Sequence, residues 1–141
     1  MHDTVQLTDL VADRGITIKS KFLGEHVEPA QGREGRAWPH SAWKCTLSYK
    51  GRKITVDNYR MGSAHTSEPT ADDVLGSLLM DVSEFHAYAP KMPTFEQWAS
   101  DIGYDADSMR AYRIYEACKA EYPKVKKFLG NEFETFAAAE H

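Results

Sequence analysis

The sequence predicts an α+β fold, with a small antiparallel sheet of about three strands packed on one face by helices, and a helical C-terminal half. Two patterns predict this fold. Apolar and polar side chains alternate with period two in stretches between residues 16 and 59, and beyond residue 70 the apolar side chains recur at helical spacing. The 141 residues, 42% of them hydrophobic, suffice for one core, so we expect a single domain over residues 1–141.

The first predicted strand is Ile16–Phe22, where the alternation turns Ile16, Ile18 and Phe22 toward the core. Residues 1–14 precede it and begin with an acidic, polar stretch, so we expect a flexible N-terminus. Residues 24–41 follow it and contain three glycines and two prolines without any periodicity. Such a composition predicts a long loop.

A β-hairpin is predicted next, because Trp43–Tyr49 and Arg52–Tyr59 read as strands on either side of the tight turn Lys50-Gly51. One face of the hairpin is apolar and should point inward. It consists of Trp43, Cys45, Leu47, Tyr49, Ile54 and Val56. The opposite face carries lysines and hydroxyl side chains, and the first strand should extend this basic outer surface.

A long helix is predicted to begin after Thr70, because Thr70 and Asp73 have the spacing of a capping box. Its apolar residues form one stripe at helical spacing. They are Val74, Leu75, Leu78, Leu79, Val82 and Phe85. Pro90 and Pro93 should end this helix and separate it from the next one.

Shorter helices should complete the C-terminal half. Thr94 and Gln97 form a second capping box, Gly103 should stop that helix, and Asp105 or Asp107 should cap the following one. Pro123 is suited to the first turn of a last helix, which Gly130 interrupts, and residues 131–141 are expected to fray. The predicted core comprises Trp43, Leu47, Ile54, Val56, Leu75, Leu78, Leu79, Phe95, Trp98, Tyr115 and Phe128.

The charge is unevenly distributed along the chain, although the net charge is only −4. Residues 14–60 hold ten Lys or Arg against four Asp or Glu, whereas residues 61–141 hold seven against fourteen. A basic sheet face attracts phosphates, which predicts a nucleic-acid-binding surface; the alternative is an ordinary solvated face. Its candidate residues are Lys19, Lys21, Lys44, Lys53, Arg52 and Arg60. The acidic half suggests the opposite hypothesis, a surface that imitates DNA.

No catalytic, metal or cofactor signature stands out, so we expect no cofactor and favour a protein that is not an enzyme. The histidines match no metal-ligand spacing. Asp101, Asp105 and Asp107 lack the glycine and glutamate of a calcium loop, and helix capping accounts for them better. Cys45 and Cys118 fall on apolar faces, where we expect reduced core residues rather than nucleophiles or a disulfide.

Several short pieces between Trp43 and Gly130 form a recognisable set. They are Trp43-Lys-Cys-Thr-Leu47, Gly51-Arg52, Tyr59-Arg-Met-Gly62, Pro69-Thr-Ala-Asp-Asp-Val-Leu75 with Leu78 and Asp81, Phe95-Glu-Gln-Trp-Ala99, Gly103-Tyr-Asp-Ala-Asp-Ser108 and Phe128-Leu-Gly130. In these pieces the chain resembles a family of small uncharacterised proteins encoded by tailed bacteriophages and prophages. The family carries no activity or catalytic residue to transfer. The resemblance implies a phage accessory protein, a class that includes inhibitors of host defence such as anti-CRISPR proteins.

The leading hypothesis is therefore a phage-type accessory protein that binds and modulates a host protein, such as a CRISPR-type defence nuclease complex, without catalysis. The alternative is a nucleic-acid-binding protein that uses the basic sheet face. Arg33, Arg36, Trp38 and His40 are the candidate contact residues, since Trp and Arg are enriched at binding hot spots. No apolar run reaches the roughly 20 residues of a membrane helix, so we expect a protein of the bacterial host cytoplasm. The sequence indicates no oligomeric state.

Overall fold

The computed structural model describes residues 4–28, 38–61 and 68–140. The elements are α1 (Leu7–Arg14), β1 (Thr17–Glu28), β2 (Trp38–Tyr49), β3 (Arg52–Met61), α2 (Ala71–Tyr88), α3 (Phe95–Ile102), α4 (Met109–Leu129), a 3₁₀ turn (Gly130–Glu132) and α5 (Phe133–Ala137). They form two compact units. The sheet unit comprises Thr8–Leu75, and the helical unit comprises Met1–Leu7 and Gly76–His141. The predicted α+β class, with its three-stranded sheet and helical C-terminal half, is confirmed.

The sheet is antiparallel with strand order β1-β2-β3. The predicted hairpin is confirmed, since β2 and β3 are joined at Lys50-Gly51 with Tyr49 opposite Arg52. Both turn residues have positive φ, 49° at Lys50 and 77° at Gly51. Two consecutive positive φ angles give a turn whose twist matches that of the flanking strands, and glycine adopts the second at little cost.

Parts of two segments that were expected to be irregular are regular. The expected loop over residues 24–41 is too long, because β1 continues to Glu28 and β2 already begins at Trp38. Cross-strand pairing continues through Gly24 and Glu25, so backbone hydrogen bonding prevails over the poor strand composition. The expectation that residues 1–14 are flexible is also wrong for α1, whose Leu7, Leu10 and Val11 are buried.

One face of the sheet is buried and the other is exposed. Cys45, Leu47 and Tyr49 are buried, whereas the intervening Lys44 is exposed. Val56, expected in the core, is half-buried. The buried apolar side chains of the sheet unit are Leu10, Val11, Ile16, Ala42, Trp43, Cys45, Leu47, Tyr49, Ile54, Ala71, Val74 and Leu75.

A β-bulge in β3 decides which side chains of that strand face inward. Cys45 lies opposite Val56, but Trp43 lies opposite Tyr59, so β3 holds one extra residue at Asp57 and Asn58. An extra residue reverses the alternation of every following side chain. Tyr59 therefore lies on the buried face beside Trp43, although strict alternation would put it on the outer face with Lys53 and Thr55.

The helix starts follow the predicted capping chemistry in two places. At the start of α2, the Thr70 hydroxyl accepts the backbone N–H of Asp73 at 3.3 Å. At α3 the capping box is complete, since Thr94 and Gln97 each bond the other's backbone N–H through their side chains, at 3.2 and 2.9 Å. Gly103 ends α3 with φ 87°, a left-handed conformation that favours glycine.

Two predictions about α4 are wrong. Ser108 caps this helix by accepting the Ala111 N–H at 3.1 Å, whereas the expected cap Asp105 accepts the Asp107 N–H instead. The last helix does not begin at Pro123, because α4 runs continuously from Met109 to Leu129. The buried stripe of Tyr115, Cys118, Tyr122, Val125 and Phe128 runs on both sides of the proline, which indicates that packing outweighs the lost backbone hydrogen bond.

The C-terminal segment packs into the helical unit instead of fraying. Phe133, Phe136 and Ala139 are buried. The two chain ends also pair through their backbones, because the Leu7 N–H donates to the Glu140 carbonyl at 2.6 Å and the Glu140 N–H to the Val5 carbonyl at 2.8 Å. The expectation of a frayed segment over residues 131–141 is thus wrong through Glu140.

Candidate functional site

A row of aromatic side chains crosses one side of the helical unit. Along the row, Tyr104 stacks on Trp98 at 5.5 Å between ring centroids, Trp98 neighbours Phe95 at 6.3 Å, and Phe95 meets Tyr112 edge-on at 5.2 Å. We call Tyr104, Trp98, Phe95 and Tyr112 the aromatic row. Tyr115 lies within 6.3 Å of Phe95, Trp98 and Tyr112, and its hydroxyl donates to the Pro93 carbonyl at 2.7 Å.

Local sequence explains how the row forms. Phe95 and Trp98 are three residues apart on α3, so they share one face of that helix. At its end, the N–H groups of Gly103 and Tyr104 both donate to the Ala99 carbonyl, at 2.9 and 2.8 Å. The left-handed glycine thereby turns the chain back and places Tyr104 over Trp98, with a ring angle of only 19°.

The two ends of the row are exposed while its centre is buried. Tyr104 and Tyr112 are each 43% exposed, whereas Trp98 is only 1% exposed. Ile102 and Met109 add further exposed apolar surface in the same segment, at 43% and 70%. Large apolar side chains exposed together in this way are typical of contact sites on soluble proteins.

Acidic residues are the sequence neighbours of the Tyr104 end of the row. Residues 96–107 contain four of them and no Lys or Arg. They are Glu96, Asp101, Asp105 and Asp107. At the other end, Tyr112 bonds to Glu116, and this bond to an anion is the main cause that raises the pKa of Tyr112. Arg110 and Arg113 stand on α4 on either side of Tyr112, so the charge there is mixed.

Two features of this region do not serve stability. Trp98 Nε1 is buried and has no hydrogen-bond partner among the described residues. A buried N–H without an acceptor costs roughly 1–3 kcal/mol of folding free energy. The exposed rings of Tyr104 and Tyr112 also leave apolar surface in water, and this surface contributes nothing to the folding free energy that its burial would contribute.

The basic outer face of the sheet is the second candidate surface. Sheet register brings five of the six predicted cations to one face, where Lys21 lies opposite Lys44. We call these residues the basic sheet face, and they are Lys19, Lys21, Lys44, Lys53 and Arg60. All five are exposed, and Thr46 and Thr55 lie between them with their hydroxyls 3.2 Å apart. Asp57, at the bulge, is an exposed acid next to this face.

Arg52 does not belong to the basic sheet face, and that prediction is wrong. It pairs with Tyr49, so the two side chains lie on the same, inner side of the sheet. The guanidinium carbon of Arg52 is 5.6 Å from the centre of the Tyr49 ring. Side chains alternate along a strand, so Arg52 shares the inner face with Ile54 and Val56. The cation–π contact with Tyr49 explains how this face accommodates a positive charge.

The β3 bulge also takes Tyr59 away from the basic sheet face, where strict alternation would have placed its ring. Tyr59 lies on the inner side, where burial and then the charges of Asp73, Cys45 and Asp72 raise its pKa. Among the side chains that the structure describes on the basic sheet face, none is aromatic. Proteins that bind single strands usually stack bases on rings, so this face offers charge without stacking.

The predicted contact residues between positions 33 and 40 lie wholly or partly outside what the structure describes. Arg33 and Arg36 lie outside the described residues. Trp38 and His40 are described through their backbone alone, which forms the beginning of β2 opposite Glu28 and His26. The prediction that these four residues contact a partner stays a prediction.

A carboxyl pair between α2 and α4 has strongly altered acidity. Asp81 and Glu121 lie close enough to share a hydrogen bond, and Glu121 Oε1 is buried. Burial first, and the charge of Asp81 second, raise the pKa of Glu121 to about 7. The neighbouring Cys118 thiol has a pKa raised to about 12, mainly by burial. The pKa of Cys45 is also raised by burial, so both thiols are protonated and poor nucleophiles near neutral pH.

A shallow groove of about 260 Å³ lies on the helical unit. It is lined by Leu79, Met80, Val82, Ser83, His86, Ala87, Phe133 and Ala137. His86 bridges its inner side, with Nδ1 3.1 Å from the Tyr122 hydroxyl and Nε2 3.0 Å from Glu134 Oε2. Both ring nitrogens are thus engaged in holding α2 to α4 and α5, which is a structural role.

Within the described ranges, no three His, Cys, Asp or Glu side chains gather as a metal ion would require. No helix in those ranges has the length and apolar character to cross a membrane. Comparison with family models, with curated proteins and with solved structures gives no match. The resemblance to phage and prophage proteins is therefore still a prediction.

Sequence reasoning missed the aromatic row as a surface. It assigned Phe95, Trp98 and Tyr115 to the core, and Trp98 and Tyr115 are indeed buried while Phe95 is half-buried. The exposed residues Tyr104 and Tyr112 were not singled out. The available signal was the glycine at position 103, since a left-handed helix end returns the next side chain toward the helix that it terminates.

Proposed function

We propose that this protein acts by binding another protein, without catalysis, and that the aromatic row is the contact. The observation that carries this proposal is the exposure of Tyr104 and Tyr112 at the ends of a packed row of rings. Tyrosine supplies large contact area and a hydrogen-bonding hydroxyl at a low cost in conformational entropy, which makes it frequent at binding hot spots.

The protein would then act as a phage accessory protein that modulates a host protein, such as a CRISPR-type defence nuclease complex. The resemblance of residues 43–130 to phage and prophage proteins supports this setting. Cys45 and Cys118 are buried and protonated, so neither thiol offers a nucleophile. The bacterial host cytoplasm is the corresponding location.

The test is affinity purification of the tagged protein from a bacterial host, with nuclease treatment, followed by identification of the bound proteins. The variant Tyr104→Ser/Tyr112→Ser should lose the bound protein by about tenfold or more, since hot-spot tyrosines contribute at least about 1–2 kcal/mol each. The control Met80→Ser removes an apolar side chain that is 67% exposed elsewhere on the helical unit. Equal recovery with the row variant, or equal loss with the control, would refute the row as the contact.

A second candidate function is nucleic-acid binding through the basic sheet face. The observation that favours it is the gathering of five exposed cations on one side of the sheet. If all five cations contact phosphates of a single strand, the logarithm of the binding constant should fall linearly with the logarithm of the salt concentration. The slope should have a magnitude of up to about 3.5.

This second function is tested with a fluorescent single-stranded oligonucleotide over about 50–300 mM salt. Lys19→Ser/Lys21→Ser/Lys44→Ser should abolish binding. The control Lys91→Ser/Lys124→Ser/Lys127→Ser removes the same charge from exposed positions on the helical unit. Binding that both variants weaken equally would indicate general attraction and would count against the basic sheet face.

A further inference from the structure

We infer that the Tyr104 end of the aromatic row receives an arginine-bearing segment of the partner protein. This inference rests on the proposed function and specifies the chemistry of the partner. Its first basis is the geometry of Tyr104, whose ring stacks on Trp98 with one face while 43% of the residue remains exposed. A guanidinium is planar and stacks on such a ring, where the π-electrons attract its charge.

The second basis is the charge around this ring. Asp101, Asp105 and Asp107 lie within three residues of Tyr104, and the stretch from Glu96 to Asp107 contains no compensating cation. Asp105 is held in place by accepting the Asp107 N–H at 2.9 Å, and Asp101 accepts a hydrogen bond from the Tyr88 hydroxyl. Carboxylates close in sequence to an exposed ring match the planar donors of arginine better than they match any anionic or neutral side chain.

The charge of α4 restricts the site to this end of the row. Near Tyr112, Arg110 and Arg113 offset the charge of Glu116, so that end offers an incoming cation no net negative charge. The glycine turn at Gly103 is the part of the row that carries only acids, so the ring of Tyr104 and the carboxylates of Asp105 and Asp107 form the arginine site. Tyr112 then contributes apolar contact and its hydroxyl.

The direct test uses short synthetic peptides of alternating arginine and glycine, or of alternating glutamate and glycine, titrated into the full chain. Binding is followed by NMR chemical-shift changes. The arginine peptide should shift the amides of residues 101–108, and the glutamate peptide should not. Asp105→Asn/Asp107→Asn should weaken the arginine peptide by about fivefold, the size expected from two partly exposed ion pairs. Tyr104→Ser should weaken it by a similar factor.

The control variant Glu25→Gln/Glu68→Gln removes two negative charges at exposed positions of the sheet unit. It should change the affinity less than about twofold. The inference is overturned if this control weakens binding of the arginine peptide as much as Asp105→Asn/Asp107→Asn does. It is also overturned if the chemical shifts change at residues outside 101–108, for example on the basic sheet face because the peptide displaces a second copy of the chain from it.

The proposed function and the arginine site can be refuted independently of each other. If Tyr104→Ser/Tyr112→Ser loses the partner protein but Asp105→Asn/Asp107→Asn keeps it fully, the row is a protein contact and the arginine site is wrong. If the row variant keeps the partner, the proposed function fails even when the peptide binds at Tyr104.

Discussion

At the scale of single residues, Glu121 has the clearest link between structure and a measurable property. Its carboxyl lies beside Asp81, and burial together with that negative charge raises its pKa from 4.5 to about 7. The folded state therefore holds this proton more tightly than the unfolded state does. Its contribution to stability is complete below about pH 4.5 and is lost as the pH rises through about 7.

We expect Glu121→Gln to remove this pH dependence. Relative to the variant, the native protein should lose about 1–2 kcal/mol of unfolding free energy between about pH 5 and pH 8, a figure reduced for the partial exposure of the side chain. Urea unfolding of both proteins at the two pH values measures the difference. Glu96→Gln, at an exposed position of α3, is the control and should run parallel to the native protein. Parallel behaviour of Glu121→Gln would contradict the prediction.

At the scale of elements, local signals were reliable where partners are close in sequence. The hairpin turn and the capping box of α3 each depend on residues within four positions of one another, and both were predicted correctly. Pro123 was misread because a local rule was applied where long-range burial decides. The rule that proline starts helices is a preference, and the continuous apolar stripe of α4 outweighs it.

We expect Thr94→Ala to destabilise the protein by about 1 kcal/mol, because the N–H of Gln97 loses its acceptor and α3 loses its cap. Thr94→Ser keeps the hydroxyl and should remain close to the native stability. Thermal or urea unfolding of both variants provides the measurement. If the alanine and serine variants unfold alike, the capping box does not contribute to stability.

At the scale of the whole molecule, the charge segregation read along the chain changes once residues are grouped by unit. The sheet unit holds ten Lys or Arg against nine Asp or Glu, and the helical unit holds seven against twelve. The sheet unit is nearly neutral because acids such as Asp72 and Asp73 belong to it. Five of the ten Lys and Arg in residues 14–60 lie on the outer face of the sheet, so the excess of positive charge belongs to that face and not to the unit.

The core of the helical unit offers a matched pair of substitutions on adjacent residues of α2. Leu79 is 5% exposed and Met80 is 67% exposed. Leu79→Asp should cost about 3–5 kcal/mol of unfolding free energy, since it buries a charge without a partner. Met80→Asp should change stability by less than about 0.5 kcal/mol. Urea unfolding measures both, and a Leu79→Asp protein of native stability would show that this core assignment is wrong.

The fold class, the turn at Lys50-Gly51, the start of α3 and most of the residues assigned to the core could be predicted from the amino-acid sequence alone. These features depend on periodicity and on contacts between residues close in sequence, and both can be recognised in the amino-acid sequence. Three features required the folded structure: the bulge that turns Tyr59 inward, the contact of Asp81 with Glu121, and the placement of Tyr104 on Trp98 by Gly103. Each of these results depends on one extra residue, one helix pairing or one backbone angle, and such geometry leaves no periodic trace in sequence.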